Sequence, residues 1–147
     1  MGKRLYAYSI KTTRVREPDF PYNGKSLTCT TELVDFARIL SNADNENFLS
    51  ILLDAQNKVI GIYRTEGIAN QNVVYPRAVL RQALLVNASA IIMIHNHPSG
   101  HVRPSDADVR LTRTIKEAAQ TLDILIHDHI ILGEERFFSF REEGMMS

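Results

Sequence analysis

The sequence contains one cysteine, Cys29, and no long apolar run. A single thiol excludes an internal disulfide framework and suits a reducing compartment. No apolar stretch approaches the ~18 residues of a membrane-spanning helix. The first residues, MGKRLY, lack the apolar core of a signal peptide. We therefore expect a cytoplasmic protein that does not associate with membranes.

An excess of charge of one sign is also missing, because 17 Lys and Arg residues balance 17 Asp and Glu residues. Net charge then provides no general attraction to nucleic acids or to anionic membranes. This balance argues against non-specific DNA binding, although it leaves room for a local basic patch.

The 147 residues show no internal repeat, low-complexity segment or interdomain linker, and they are sufficient for one domain with its own core. Alternating and helical apolar patterns follow one another in the order βαββαβαββ. That order predicts an α/β domain with a single mixed β-sheet and flanking helices. The predicted strands cover residues 4–16, 47–54, 58–65, 89–94, 124–132 and 136–140, and the predicted helices cover residues 30–40, 76–88 and 105–122.

Two histidines, His95 and His97, follow the apolar run that forms the fourth predicted strand, in the sequence IIMIHNHPSG. Side chains two residues apart on an extended backbone point to the same side. Both imidazoles can therefore face one point, with Asn96 facing away. Two imidazoles at the end of a buried strand indicate either a metal site or a polar loop that happens to contain histidines.

The helix that follows offers two carboxylates, and helical geometry separates them. Counting from Asp108, the apolar residues of one stripe follow at spacings of 3, 4, 4 and 3. Asp106 lies roughly 200° away around a helix with 3.6 residues per turn, so it should face solvent. A carboxylate at the head of a buried stripe is costly unless a cation compensates it. We therefore predict Asp108 as the third ligand, above a stripe of Leu111, Ile115, Ala119 and Leu122.

Two histidines and one carboxylate leave a coordination position for water, as in catalytic rather than structural zinc sites. The same ligands can hold iron or another divalent ion, so zinc is favoured rather than dictated. Ser105 opens the sequence SDAD, in which a serine is followed three residues later by an acid, and this predicts an N-cap. The capping role does not prevent the hydroxyl from also facing the metal.

The complete pattern resembles the JAMM/MPN metal motif, H-x-H-P-x6-S-x2-D, formed here by His95, His97, Pro98, Ser105 and Asp108. The HNHPSG form of the motif, with YPRAVLRQALLVNASAI before it and DHIILG after it, resembles the RadC family specifically. The resemblance covers residues 45–143, within a single predicted domain of residues 1–147. Longer RadC-like proteins carry an N-terminal helix-hairpin-helix region, and nothing before the first predicted helix has its pattern.

The resemblance implies a cytidine-deaminase-like α/β fold in which Zn²⁺ is bound by His95, His97 and Asp108. It further implies that Ser105 helps to stabilise the tetrahedral intermediate of peptide or isopeptide hydrolysis by metal-activated water. Family members that cleave such bonds use an upstream glutamate as general base. In the strand VIGIYRTEG the positions expected for this glutamate hold Ile62, Tyr63 and Arg64. The nearest acid is Glu66, which is either the general base, if the strand bends there, or a solvated turn residue. Glu32 is expected at the surface of the first helix.

A second polar cluster interrupts the strand predicted over residues 124–132, in the sequence ILIHDHIIL. Simple alternation places Asp128 with the neighbouring isoleucines on one face, and both His127 and His129 on the other. The histidines are either hydrogen-bonding partners of a metal ligand or ordinary polar groups near the end of a strand.

The leading interpretation is a zinc-dependent hydrolase acting on a peptide or protein substrate. RadC-like proteins have historically carried a DNA-repair label, which raises the alternative of a nuclease. Nucleases usually need hard divalent ions and a basic surface, which Arg103, Arg110 and Arg113 would have to supply. A third interpretation is a non-catalytic binding module in which the metal is structural. The sequence indicates neither the substrate nor the oligomeric state.

Overall fold

The computed structural model describes residues 29–40, 46–66 and 74–147. The predicted strand over residues 4–16 lies outside these described residues, and every later predicted element is present. None of the helices described is long and apolar enough to cross a membrane. The elements are α1 (Thr30–Leu40), β1 (Asn47–Leu53), β2 (Val59–Glu66), α2 (Pro76–Leu85), β3 (Ala90–Asn96), α3 (Asp106–Thr121), β4 (Leu125–Leu132) and β5 (Phe137–Ser139).

The five strands form one mixed sheet in the order β2-β1-β3-β4-β5. Strand β1 pairs antiparallel with both β2 and β3, while β4 pairs parallel with β3 and antiparallel with β5. The parallel pair is joined through α3, as a parallel connection requires a crossover. This arrangement confirms the predicted α/β class with a single mixed sheet.

A tight turn of residues 54–57 joins β1 to β2, as the sequence predicts. The Asp54 carboxylate oxygen Oδ1 accepts hydrogen bonds from the amides of Gln56 and Lys58, both at 2.9 Å. Asn57 has a φ of 59°, and asparagine tolerates this left-handed conformation better than most residues.

Apolar residues fill both faces of the sheet, because alternate side chains of the central strands point in opposite directions. Helix α1 covers one face, and helices α2 and α3 cover the other. The face under α1 contains Leu33, Val34, Phe36, Ala37, Leu49, Ile51, Leu53, Ala90, Ile92, Ile94, Ile130 and Leu132. The face under α2 and α3 contains Phe48, Leu52, Val79, Leu80, Ala83, Ala88, Ile91, Met93, Ile115, Ala119 and Ile124.

Strand β3 lies at the centre of the sheet, and all seven of its residues are buried. This agrees with the continuous apolar run of residues 89–94, which is typical of a strand buried on both faces. Its carboxyl end is followed directly by His97 and by the loop that leads into α3. The fold therefore places His95 near the end of a fully buried strand and His97 directly after that strand, ahead of the start of a helix.

Candidate metal centre

The two histidines meet at the end of β3. His95 lies on the same face of the strand as Ile91 and Met93 and is 3% exposed. Its Nε2 atom is 2.9 Å from the Nε2 atom of His97, which is half-buried. Asn96 faces the opposite side, where its Oδ1 accepts a hydrogen bond from the amide of Asn47. The structure thus confirms that alternation directs both imidazoles to one point.

The first turn of α3 brings Asp108 to the same point. Its Oδ1 lies 3.3 Å from Nε2 of His95, and its Oδ2 lies 3.5 Å from Nε2 of His97. Asp106 is exposed, as the helical-spacing argument predicts. Ile115 and Ala119 are fully buried beneath Asp108.

Ser105 caps α3 as the sequence predicts, and in doing so it holds the carboxylate of Asp108. The Ser105 hydroxyl accepts from the amide of Asp108 at 3.1 Å and donates to its Oδ2 at 2.7 Å. The Ser105 amide also donates to Oδ2, at 2.7 Å. This capping box fixes the rotamer of Asp108 through the backbone of its own helix.

The separations of the three groups fit a metal ion. His95, His97 and Asp108 each offer one ligand atom, and these atoms lie within 4.8 Å of one another. Donor atoms about 2.0–2.1 Å from a tetrahedral zinc ion would lie roughly 3.3 Å apart. The observed separations between the ring nitrogens and carboxylate oxygens, 2.9, 3.3 and 3.5 Å, lie on both sides of that value. Two ring nitrogens this close need a cation or a proton between them, since two facing lone pairs repel.

The electrostatics of the cluster also favour a cation. Burial alone would raise the pKa of Asp108, but hydrogen bonds from His95, His97 and Ser105 outweigh it and hold that pKa well below its usual range. The hydrogen bond to Asp108 raises the pKa of His97 against the opposing effect of burial, with further contributions from the His101 carbonyl and the Glu46 charge. The carboxylate is therefore ionised and attracts positive charge to this point.

The loop after β3 orients His97. The Nδ1 atom of His97 is 2.8 Å from the carbonyl oxygen of His101. A carbonyl only accepts, so Nδ1 carries a hydrogen, and Nε2 is the ring nitrogen that faces Asp108 and His95. No sequence pattern singles out His101, because its contribution comes from the backbone rather than from the exposed side chain.

Gly133, directly after β4, allows this loop to pack closely. A Cβ atom placed on Gly133 would stand 2.5 Å from the carbonyl oxygen of Gly100 and 2.7 Å from Cγ1 of Val102. The amide of His97 also donates to the carbonyl of Leu132, at 3.1 Å. The loop that orients His97 therefore rests directly on the β4–β5 turn.

The two histidines of β4 have different surroundings, contrary to simple alternation. The β3–β4 register shifts by one residue, so that Ile126 pairs with Ile91 and Asp128 pairs with Ile92. This irregularity places Ile126 and Asp128 on opposite faces, so the prediction that they share one face is wrong. His127 instead contacts Oδ1 of Asn57, at 2.8 Å.

His129 is fully buried and contacts His95 on the side of its ring that faces away from Asp108. Its Nε2 atom lies 2.8 Å from Nδ1 of His95, the ring nitrogen that faces away from Asp108. Of the two interpretations of these histidines, His129 fits the hydrogen-bonding partner of a candidate ligand, and His127 fits the polar group near a strand end. On its other side, Nδ1 of His129 lies 2.6 Å from the hydroxyl of Thr112, a residue that no sequence pattern singles out.

Two glutamates lie at the paired ends of β1 and β2. Glu66 ends β2 and pairs across the sheet with Asn47, but its side chain lies outside what the structure describes, so its catalytic role stays a prediction. Glu46 precedes β1, is half-buried, and lies close enough to His97 for its charge to raise the pKa of that histidine. Sequence reasoning missed Glu46, whose position depends on the pairing of β1 with β3.

The remaining residues named from the sequence lie at the surface. Glu32 is exposed on α1, as expected. The three arginines near the motif, Arg103, Arg110 and Arg113, are exposed as well.

Comparison with known proteins agrees with the motif. The model of the RadC-like JAB domain matches residues 27–145. A UPF0758 protein of Geotalea uraniireducens is 45% identical over 102 residues, which are 69% of this chain and 45% of the relative. UPF0758 proteins of Trichlorobacter lovleyi and Moorella thermoacetica are 36% and 35% identical over 99% of this chain, covering 60% and 59% of their own lengths. The chain thus spans about half the length of the curated relatives it matches.

Proposed function

The chain belongs to the RadC-like JAB domain family, and from this premise we propose that it is a zinc-dependent hydrolase that cleaves a peptide or isopeptide bond. The observation that carries the proposal is the convergence of His95, His97 and Asp108 on one point. Three protein ligands with an open fourth position are typical of catalytic zinc sites, whereas structural sites use four protein ligands. A catalytic role is therefore favoured over a purely structural one.

Zinc is favoured by the ligand set of two imidazoles and one carboxylate. Imidazole suits zinc, copper, iron and nickel, whereas magnesium and calcium prefer oxygen ligands throughout. When bound, zinc supplies Lewis acidity toward a carbonyl oxygen and lowers the pKa of water to about 7. A nuclease of the kind that uses hard divalent ions would need more oxygen ligands than this site offers.

Ser105 lies close enough to the metal position to take part in the reaction as well as to cap the helix. Its hydroxyl has one hydrogen, which it now donates to Oδ2 of Asp108. To stabilise a developing oxyanion, the hydroxyl must turn that hydrogen toward the substrate. The amide of Ser105 continues to donate to Oδ2, so Asp108 keeps a partner when the hydroxyl turns.

Hydrolysis also needs a group that moves a proton to the leaving amine, and a glutamate next to the site would do this. Glu46 and Glu66 are the two candidates, because both belong to the β1–β2 edge of the site. A general acid or base of this kind typically contributes 10²–10⁴-fold, roughly, to the rate. We infer that Glu46 fills the role, because its charge reaches His97.

A peptide or protein substrate in the cytoplasm is the partner that this proposal implies. The metal proposal is tested first by measuring zinc content after chelation and repletion. We expect about one zinc ion per wild-type chain. Asp108→Asn should retain far less, while Asp106→Asn, the same change on the solvent side of the same helical turn, should match the wild type. Absence of stoichiometric metal in the wild type would rule out the proposal.

The catalytic part is tested with the zinc-loaded protein on a proteome-derived peptide library and on branched peptides that contain an isopeptide bond, read by mass spectrometry. Cleavage by the wild type and by Asp106→Asn, with none by Asp108→Asn, would support a hydrolase. Stable zinc binding without any cleavage of either probe would favour the non-catalytic binding module instead.

A further inference from the structure

A continuous set of hydrogen bonds links two of the three metal-binding residues through the protein interior. Nδ1 of His95 is 2.8 Å from Nε2 of His129, and Nδ1 of His129 is 2.6 Å from the Thr112 hydroxyl. That hydroxyl in turn lies 2.6 Å from the backbone carbonyl oxygen of Asp108. We refer to His95, His129, Thr112 and the Asp108 carbonyl as the relay.

The relay has a single direction, which follows from its last member. A carbonyl oxygen only accepts, so the Thr112 hydroxyl must donate its one hydrogen to Asp108. The hydroxyl oxygen must then accept from Nδ1 of His129, which therefore carries a hydrogen. A neutral imidazole has one hydrogen, so Nε2 of His129 is an acceptor and Nδ1 of His95 must be the donor.

Burial keeps His129 in the neutral form that this reasoning requires. The ring is fully buried, stacks on Phe140 with centroids 4.9 Å apart, and meets the ring of Phe48 edge-on at 5.8 Å. A charged imidazole enclosed in this way, away from water, would carry a large desolvation cost. The surrounding rings also prevent it from turning to exchange its two nitrogens.

We propose that Thr112 and His129 are positioning residues that hold a hydrogen on Nδ1 of His95, so that Nε2 is the ring nitrogen that binds the metal. Asp108 then acts twice, because its carboxylate is a ligand and its backbone carbonyl sets the direction of the relay. The His101 carbonyl holds a hydrogen on Nδ1 of His97 in the same way. Both histidines are thereby prepared for the metal before it arrives.

The inference rests on the proposed metal site for its purpose, but the hydrogen on Nδ1 of His95 is a property of the metal-free protein. Partners behind a metal-binding histidine typically change metal affinity by about 10–100-fold when they are removed. Removing the Thr112 hydroxyl should have an effect of this size, because Nδ1 of His129 would lose its acceptor and its tautomer would no longer be set.

The experiment compares Thr112→Val with Thr112→Ser, which restores the hydroxyl. Thr114→Val is the matched control, since Thr114 makes the same hydrogen bond to the carbonyl four residues earlier but is exposed and contacts no histidine. The first readout is a long-range ¹H–¹⁵N NMR spectrum of the imidazoles in the metal-free protein. The second is zinc affinity, measured by competition with a chelator.

We expect Nδ1-protonated His95 in the wild type, in Thr112→Ser and in Thr114→Val, and a tautomer mixture in Thr112→Val. Zinc affinity should fall about 10–100-fold in Thr112→Val alone. An unchanged tautomer and affinity in Thr112→Val would overturn the inference. If the wild type fails to bind zinc at all, the proposed function fails, whereas the NMR result still decides the relay.

A second pair of variants covers the case in which Thr112→Val does not fold. His129→Gln keeps an acceptor for Nδ1 of His95, while His129→Leu removes it. Zinc affinity that is retained by the glutamine variant and lost by a folded leucine variant supports the relay. Equal loss in the two would show that only the volume of His129 matters and would overturn it.

Discussion

The backbone amide of Asn47 donates a 2.7 Å hydrogen bond to Oδ1 of Asn96, the residue between the two histidines of the candidate metal centre. Both asparagines are buried, so this bond fastens the start of β1 to the end of β3. It also determines where the preceding residue, Glu46, can lie. The side chain of Glu46, which no sequence pattern singles out, is thereby held beside His97.

The first prediction concerns which glutamate moves the proton. Glu46→Gln should bind zinc like the wild type but lose about 10²–10⁴-fold in kcat, because the amide cannot take up a proton. The measurement is the rate of cleavage of the peptide or isopeptide probe that the library identifies, together with zinc content. Glu32→Gln, on the exposed face of α1, is the control.

Glu66→Gln is the competing variant in the same assay. If it loses activity while Glu46→Gln keeps it, then the residue predicted from the sequence is the proton carrier. Equal activity of both variants and the wild type would contradict a role for either glutamate.

The second prediction concerns Gly133 and the loop that holds His97. Gly133→Ala would force the backbone at Gly100 to move, and overpacking of this kind costs about 1–3 kcal/mol. The displaced loop should also release the His101 carbonyl from His97, so zinc affinity should fall together with the free energy of unfolding. Chelator competition and urea denaturation measure the two effects.

Gly144→Ala is the comparison for Gly133→Ala. Gly144 has a φ of 71°, and a Cβ atom added to it would meet nothing within 4 Å in the described part of the chain beyond its own neighbours. Alanine there therefore adds only backbone strain of about 1–2 kcal/mol. Its zinc affinity should not change. A similar loss of affinity in both variants would mean that general destabilisation, rather than the loop contact, weakens the site.

The third prediction concerns a buried hydroxyl without a partner. Ser50 is fully buried in β1, and its Oγ makes no hydrogen bond within the part of the chain that the structure describes. An unsatisfied buried polar group costs about 1–3 kcal/mol. Ser50→Ala should therefore raise the free energy of unfolding by about 1 kcal/mol, as measured by urea denaturation.

Ser139→Ala should have the opposite effect. Ser139 is also buried, but its hydroxyl donates to Oδ2 of Asp128 at 2.6 Å and accepts from the amide of Glu142 at 3.0 Å. Its removal leaves two polar groups without their partner and should destabilise the fold. Destabilisation by both substitutions would refute the view that Ser50 is unsatisfied.

The fourth prediction concerns Asp128 and pH. Burial raises the pKa of its carboxyl, against the hydrogen bonds from Ser139 and from the amides of Arg141 and His129, and the charge of Glu142 raises it further. The folded state therefore binds the proton more tightly than the unfolded state. The resulting stabilisation is fully present below the ordinary value of 3.8 and is lost as pH rises through the folded-state pKa.

Asp128→Asn removes this titration while it keeps the size of the side chain. The free energy of unfolding of the wild type, minus that of the variant, should decrease as pH rises from about 4 to 7. Urea denaturation at several pH values gives this difference. A difference that stays constant, or that grows with pH, would contradict the raised pKa.

The sequence alone was sufficient to predict the features that local periodicity determines. The stripe that begins at Asp108 placed this carboxylate on the side of α3 that faces His95 and His97, and it left Asp106 in solvent. The stripe was wrong at its end, where Leu122 is 42% exposed, because α3 ends at Thr121 and no longer presents that side chain to the sheet.

Features that depend on pairing between distant strands could not be predicted. The register shift opposite Ile91 and Ile92 cannot be detected in the apolar pattern of β4. The sequence therefore predicted the same face of the strand for His127 and His129. Thr112 likewise follows no pattern, since its role depends on His129 lying across from it. Glu46 precedes its strand, and only the β1–β3 pairing brings it to the site.

The position of His95 in the central strand has a consequence for the thermodynamics of ligand binding. Because β3 is paired on both sides, the backbone of His95 loses its conformational entropy when the sheet forms. The binding of a cation therefore costs little further conformational entropy at this residue. Preorganisation of this kind strengthens binding without adding a contact, so the affinity of the site depends on the cohesion of the sheet as well as on its ligands.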